Sequence, residues 1–180
     1  MKLTVLGSSS SGNCYLLHNK KECLVLEAGI SLKDVKKALV FDISKIEGGL
    51  VSHEHLDHSK YVSDYIRAGI PFYASDGTIA ARSIALWSQI YSKKNRDTFK
   101  IGNFVVSTFD TQHDAAQPFG FYIFHPEMGS LVFATDTYYV KYRFPGVNHI
   151  MVECNYSQDI LDQNCMGGII PKSLRDRTMK

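Results

Sequence analysis

Three histidines and an aspartate fall within the six residues His53-Glu54-His55-Leu56-Asp57-His58, directly behind a short apolar run at residues 49–52. No other feature restricts the fold as much, because the chain must open a strand end wide enough to gather these side chains. In extended backbone the side chains alternate, so His53, His55 and Asp57 are expected on one face. His58 then approaches from the turn into the next helix. Imidazole nitrogens and a carboxylate on one face suit a borderline divalent ion such as zinc. A helical zinc motif, His-Glu-x-x-His, needs His at position 57, where the chain has Asp, so that reading fails. A solvated polar loop explains a lone histidine well, and explains this cluster poorly.

Around the hexapeptide the chain reads as strands, then helices, then strands. Residues 2–6, 14–18 and 23–27 are strand-like runs separated by Gly/Ser or Asn-Lys-Lys turns. Ser31 is placed as a helix N-cap, with Leu32, Val35 and Leu39 on one face. Ser59 is read as the N-cap of a helix carrying Val62, Tyr65 and Ile66. Residues 71–74 form a strand, and 76–91 carry a helical pattern through Ile79, Ile84, Leu86, Trp87 and Ile90. Strands return at 104–109, 119–124, 131–134 and 149–153. This order predicts a mixed α/β sandwich of sheets covered by helices, with residues 1–180 as a single domain.

Composition narrows the function. Twenty Lys+Arg against 18 Asp+Glu leave a net charge of only +2, which gives no global footprint for nucleic acid. Lys93, Lys94, Arg96 and Lys100 form one local basic run, and Arg175, Arg177 and Lys180 another. Either tracks phosphates or is a solvated face. The opening apolar residues turn polar at Gly7, and no stretch reaches the ~20 apolar residues of a membrane span. The expectation is a cytoplasmic protein with no membrane partner. Cys14, Cys23, Cys154 and Cys165 contain no C-x-x-C pair and are read as buried free thiols. His18 and His125, alone in apolar strands, are read as structural. Gly7 to Gly12 has phosphate-loop spacing, but Asn13 stands where such a loop needs Lys.

The hexapeptide matches the HxHxDH signature of the metallo-β-lactamase superfamily, and other segments resemble its remaining motifs in order. His113, within Thr111-Gln112-His113-Asp114, matches the third-ligand motif. Asp136, within Phe133-Ala134-Thr135-Asp136-Thr137, matches the carboxylate that bridges two metals. Glu27-Ala28-Gly29 resembles the early acidic motif that supports the site from behind, with Glu in place of the usual Asp. Gly7-Ser8-Ser9-Ser10-Ser11-Gly12-Asn13-Cys14 resembles a bacterial exonuclease and phosphodiesterase branch. The late metal-ligand His of the family is missing. His149 comes too soon after Asp136, and residues 173–180 resemble the segment that precedes that His, so the chain reads as truncated at the C-terminus.

The resemblance implies a four-layer αββα sandwich. It implies two divalent metal ions, zinc or alternatively manganese in both positions, one held by His53, His55 and His113, the other by Asp57 and His58, with Asp136 between. Asp57 and Asp136 are the expected catalytic carboxylates and Glu27 the supporting residue. The implied activity is that of a metal-dependent phosphodiesterase or nuclease using a metal-bridged hydroxide, acting on DNA or a small phosphodiester. The alternatives are a thioester hydrolase of the same superfamily, or an inactive remnant or metal-stabilised binding module with a weak or empty second site. Tyr138, Tyr139 and Tyr142 stack on a base or pack at the rim.

Overall fold

Alternating burial organises the first half of the chain. In the computed structural model, which describes residues 1–85, 87–153 and 157–178, strands β2 (Cys14–His18) and β3 (Cys23–Leu26) are buried on both faces. Cys14, Leu16, Cys23 and Val25 point to one side, and Tyr15, Leu17, Leu24 and Leu26 to the other. These period-two sets face different layers. With β1 (Lys2–Gly7), β4 (Ile46–Leu50), β5 (Phe72–Ser75) and β6 (Ile90–Lys93), they form a sheet in the order β1-β2-β3-β4-β5-β6. The pairs β1–β2 and β2–β3 are antiparallel, and β3 to β6 run parallel.

Parallel neighbours need crossovers, and helices supply them. Helix α1 (Leu32–Ala38) is capped by Ser31, whose side chain accepts from Asp34 N, as the sequence predicts. The short helix α2 (Leu56–Ser59), α3 (Val62–Arg67) and α4 (Asp76–Ala81) follow. Val35, Val62, Tyr65, Ile66 and Ile79 from this layer pack against the outer face of the sheet.

The second sheet has the order β11-β10-β9-β8-β7. Its strands are β7 (Thr98–Ile101), β8 (Phe104–Asp110), β9 (Phe119–His125), β10 (Gly129–Ala134) and β11 (His149–Val152). Phe104, Phe119, Phe121, Ile123, Leu131 and Phe133 meet Tyr15, Leu24, Leu26 and Leu50 of the first sheet, giving the expected two-sheet sandwich. The far face carries Phe109, Val132 and Ala134 beneath Val140, Tyr142, Phe144 and Val147. Helices α5 (Gln158–Met166) and α6 (Lys172–Thr178) are joined by an Arg175–Asp162 ion pair of 2.7 Å.

Two local readings are corrected. Residues 76–91 are not one helix: α4 stops at Ala81, Ser83 turns with φ +54°, and 90–93 is strand β6. Ile84 and Trp87 still reach the first core, but from a turn. Ser59 ends α2 rather than starting a helix, because its Oγ donates to the carbonyls of Glu54 and His55. The first basic run is partly strand: Lys93 on β6 lies with its ammonium 4.6 Å from the centre of the Phe99 ring on β7. Cys14 and Cys23 are buried free thiols. Leu86, Cys154, Lys180 and the side chain of Arg177 lie outside the described residues.

Candidate metal centre

The hexapeptide leaves the end of β4 as extended backbone and then bends. Val51 N still donates to Tyr73 O at 3.1 Å, and α2 begins immediately after His55. This bend changes the sequence expectation in one respect. Asp57 does not share the face of His53 and His55, since it stands in the first turn of α2 beside His58. His113 and Asp136 lie in the loops beyond β8 and β10, not on the strands themselves. Gln112 N donates to Thr137 Oγ1 at 3.0 Å and Tyr138 N to Gln112 O at 2.9 Å, so the two loops brace each other. Asp136 has φ +45°, and its N–H donates to Glu153 Oε2 at 2.6 Å.

Six side chains thereby converge. The ring centres of His53, His55 and His113 are 4.6–4.9 Å apart. His113 Nε2 and His55 Nδ1 face each other at 3.1 Å. Asp136 Oδ2 lies 2.9 Å from His58 Nε2, 3.3 Å from His53 Nε2 and 3.7 Å from His113 Nε2. The ligand atoms of His53, His55, His113 and Asp136 all fall within 4.8 Å of one another, as do those of Asp57, His58 and Asp136. Asp136 belongs to both groups.

The outward nitrogens explain why the rings point this way. His53 Nδ1 lies 2.9 Å from Ser52 Oγ, His113 Nδ1 lies 3.1 Å from Asp114 Oδ1, and His58 Nδ1 faces the buried Glu27 Oε2 at 3.7 Å. In each case Nε2 is left for the centre, the arrangement that fixes tautomer and orientation in metal-binding histidines. Glu27 also accepts from Ser52 N at 3.3 Å, so it braces two positions. Ser52, Asp114 and Asn13 were not singled out as supporting residues in the sequence, although the first two adjoin the histidines they hold.

The donor set fits a divalent cation. His53 Nε2 is buried and has no hydrogen-bond partner of good geometry among the described residues. Burial and the neighbouring His53 depress the His113 imidazolium, which keeps a lone pair available. Burial also disfavours charge on His58, but the carboxylates of Asp136, 2.9 Å away, and Glu27, 3.7 Å away, outweigh it and push that group up to about 10. For Asp136, burial opposes ionisation, yet the imidazoles of His53 and His58 facing its Oδ2 hold it well below the ordinary carboxylate range. Protons thus hold the second group together wherever a cation does not, and binding must release them.

A cleft of about 610 Å³ opens beside this centre, lined by Ser8, Ser9, Ser10, Tyr15, Asp57 and Asp136 among others. His149 is elsewhere, with Nε2 3.1 Å from Met128 O. Tyr138 and Tyr139 are exposed, whereas Tyr142 packs at the rim against Phe109 and pairs with Asp110. His125 and His18 are bonded to Glu22 and Thr4.

Residues 9–70 match the model of the metallo-beta-lactamase superfamily. The chain is 32% identical to Exodeoxyribonuclease YycJ of Bacillus anthracis, over 99% of this chain and 70% of that protein. It is 30% identical to Exodeoxyribonuclease WalJ of Streptococcus pneumoniae, over 89% of this chain and 64% of that protein. The metallo-beta-lactamase fold protein YhfI of Bacillus subtilis superposes with a TM-score of 0.58 at 16% identity, covering 72% of this chain and 60% of that one. The chain therefore spans roughly two thirds of the length of these relatives. Fold, motif order and identity agree: the chain belongs to the metallo-β-lactamase superfamily, in its exodeoxyribonuclease-like branch.

Proposed function

We propose that this chain is a metal-dependent hydrolase that cleaves phosphodiester bonds in DNA from a two-cation centre. The observation that carries the reading is the pair of donor groups sharing Asp136 at the head of the Ser-lined cleft. His53, His55 and His113 would hold the nitrogen-rich position, which suits zinc. Asp57, His58 and Asp136 would hold the oxygen-richer one, which suits zinc or manganese. When bound, such cations supply Lewis acidity and neutralise the charge that builds on a phosphoryl group.

The protein side of the chemistry is positioning. Asp136 Oδ2 spans both groups and stays ionised, so it anchors rather than carries a proton. Asp57 is part-exposed at the cleft, where its carboxylate is placed to take the proton of an attacking water. The hydroxyls of Ser8, Ser9 and Ser10 line the same cleft as donors for non-bridging phosphate oxygens. Glu27, Ser52 and Asp114 hold the imidazoles in register. DNA as the substrate is supported by the two exodeoxyribonuclease relatives. A cytoplasmic setting is part of the same proposal; no helix among the described residues is long and apolar enough to cross a membrane.

The test is nucleotide release from end-labelled duplex DNA with zinc, with manganese and with EDTA. Release is expected with metal and none with EDTA. Asp57→Ala and Asp136→Ala should each abolish it while the far-UV circular dichroism persists. Unchanged turnover in either variant, at confirmed metal content, would refute the two-cation mechanism. Thioester cleavage without any phosphodiester cleavage would move the chain to another chemistry of the superfamily.

A further inference from the structure

We propose that Asn13 is a fourth ligand of the Asp57–His58–Asp136 group, offering its side-chain carbonyl oxygen once the amide is turned over. The inference rests on the reading of this cluster as a metal centre. Four observations carry it.

The first is placement. Asn13 is 6% exposed, and its backbone is held from both sides: its N–H donates to Asp57 O at 2.7 Å and its carbonyl accepts from Gly29 N at 3.0 Å. The side chain is therefore pinned against the first turn of α2.

The second is spacing. Asn13 Nδ2 lies 3.3 Å from Asp57 Oδ2 and 3.2 Å from His58 Nε2. Asp57 Oδ2 is itself 3.2 Å from His58 Nε2, which is 2.9 Å from Asp136 Oδ2. Ligand atoms ~2.0–2.2 Å from a shared cation sit roughly 3.0–3.5 Å from one another. The terminal amide atom is already at that spacing from two ligand atoms.

The third is what the turned amide would meet. Its oxygen would then face Asp57 Oδ2, now 3.3 Å from Nδ2, acceptor against acceptor. A cation bound by both oxygens and by His58 turns that repulsion into coordination. Side-chain amide oxygens are established ligands of hard divalent cations.

The fourth lies behind the amide. Tyr15 Oη is 2.9 Å from Ser8 Oγ and 3.4 Å from Asn13 Oδ1. A hydroxyl both donates and accepts, so in the present orientation Ser8 Oγ donates to Tyr15 Oη and Tyr15 Oη to Asn13 Oδ1. With the amide turned, Asn13 Nδ2 donates to Tyr15 Oη and Tyr15 Oη to Ser8 Oγ, so the turn loses no bond on this side.

The test is Mn2+ titration of the 180-residue chain, read by the electron paramagnetic resonance of free Mn2+, for wild type, Asn13→Ala and Asn13→Asp. Asn13→Ala is expected to weaken the second equivalent by about tenfold or more and leave the first within about threefold. Asn13→Asp is isosteric and brings an oxygen donor in either orientation, so it should bind the second equivalent at least as tightly as wild type. A residue that serves only as a hydrogen-bond donor to Asp57 gives the opposite result, because a carboxylate there repels Asp57. Weakening by Asn13→Asp equal to that of Asn13→Ala overturns the assignment. So does a second equivalent unaffected by Asn13→Ala. If Asn13→Ala fails to fold by circular dichroism in EDTA, Asn13→Asp against wild type decides alone. Failure of wild type to take up a first equivalent would instead remove the metal-centre reading itself, and this inference with it.

Discussion

A methyl group added at Gly29 would lie 1.7 Å from the Asp57 carbonyl oxygen and 2.6 Å from Asn13 N. Both atoms are backbone, so neither can swing aside, and Gly29 is the point where the Asn13 loop, the Glu27 turn and α2 touch. Gly29→Ala should therefore separate the pieces of the second donor group. The expected loss is about 2–4 kcal/mol of stability, with the second metal equivalent lost as well. Gly69→Ala is the control: a Cβ there meets nothing within 4 Å, and only its φ of +82° resists substitution, for about 1 kcal/mol. Urea midpoints and metal titration of both variants check the contrast. Glu27 makes a second case, since it is buried, has φ +66° and faces His58 Nδ1. Glu27→Ala should weaken metal binding by about 10–100-fold without touching a ligand, and equal affinity by calorimetry would contradict that role. The side chains that converge, and Glu27 behind them, were legible because each sits in a recognisable run of sequence. Asn13 was not, since its partners Asp57 and His58 are more than forty residues away.

Across elements, Glu22 ties the two sheets together. The turn between β2 and β3 carries its carboxylate to Asn103 N at 3.1 Å, Asn103 Nδ2 at 3.0 Å and His125 Nε2 at 2.9 Å, all on the second sheet. Burial alone would raise this carboxyl, but the bonds from Asn103 and His125 outweigh it and hold it below its ordinary value of 4.5. A carboxyl lowered on folding adds stability that is complete above its unfolded value and is lost as pH falls through the folded one. Glu22→Gln should therefore cost about 1–3 kcal/mol near neutrality, and its deficit should shrink as pH drops below about 4.5. Urea unfolding of both proteins along a pH series measures this, and parallel curves would contradict it. Strands were the readable elements, because β2, β3, β9 and β10 alternate or bury both faces along unbroken apolar runs. The helix read over 76–91 failed for a physical reason. Ile79, Ile84, Trp87 and Ile90 repeat at helical spacing and do line one core, yet periodicity does not register the left-handed turn at Ser83. At Ser59 the residue type suited a cap, but whether a hydroxyl accepts from an N–H or donates to a carbonyl is decided only by the bend before it.

At the scale of the molecule, the candidate metal centre draws its side chains from both sheets. His53, His55, Asp57 and His58 follow β4 of the first sheet, while His113 and Asp136 follow β8 and β10 of the second. Direct bonds already close this edge: Phe119 N donates to Ser52 O at 2.9 Å, Ser75 Oγ to Gln117 O at 2.7 Å, and Ala116 N to Glu54 Oε1 at 2.7 Å. Behind them an aromatic core packs between the sheets on apolar contacts alone. The sandwich should consequently remain folded without metal, and gain from metal as a clamp across its open edge. A ligand that binds only the folded state at 100 times its dissociation constant adds about 2.7 kcal/mol per site. For a chain of this length that corresponds to a rise of roughly 5–10 °C in melting temperature. The expected result is a cooperative melt in EDTA, shifted upward by zinc or manganese in proportion to the logarithm of free metal. His113→Ala removes the second sheet's only histidine contribution to the described cluster, so it should abolish most of the shift at low metal while leaving the EDTA melt nearly unchanged. A metal-induced shift that survives both His113→Ala and Asp136→Ala in full would place the stabilising ion elsewhere, on one sheet alone, and the clamp across the sandwich would have to be abandoned.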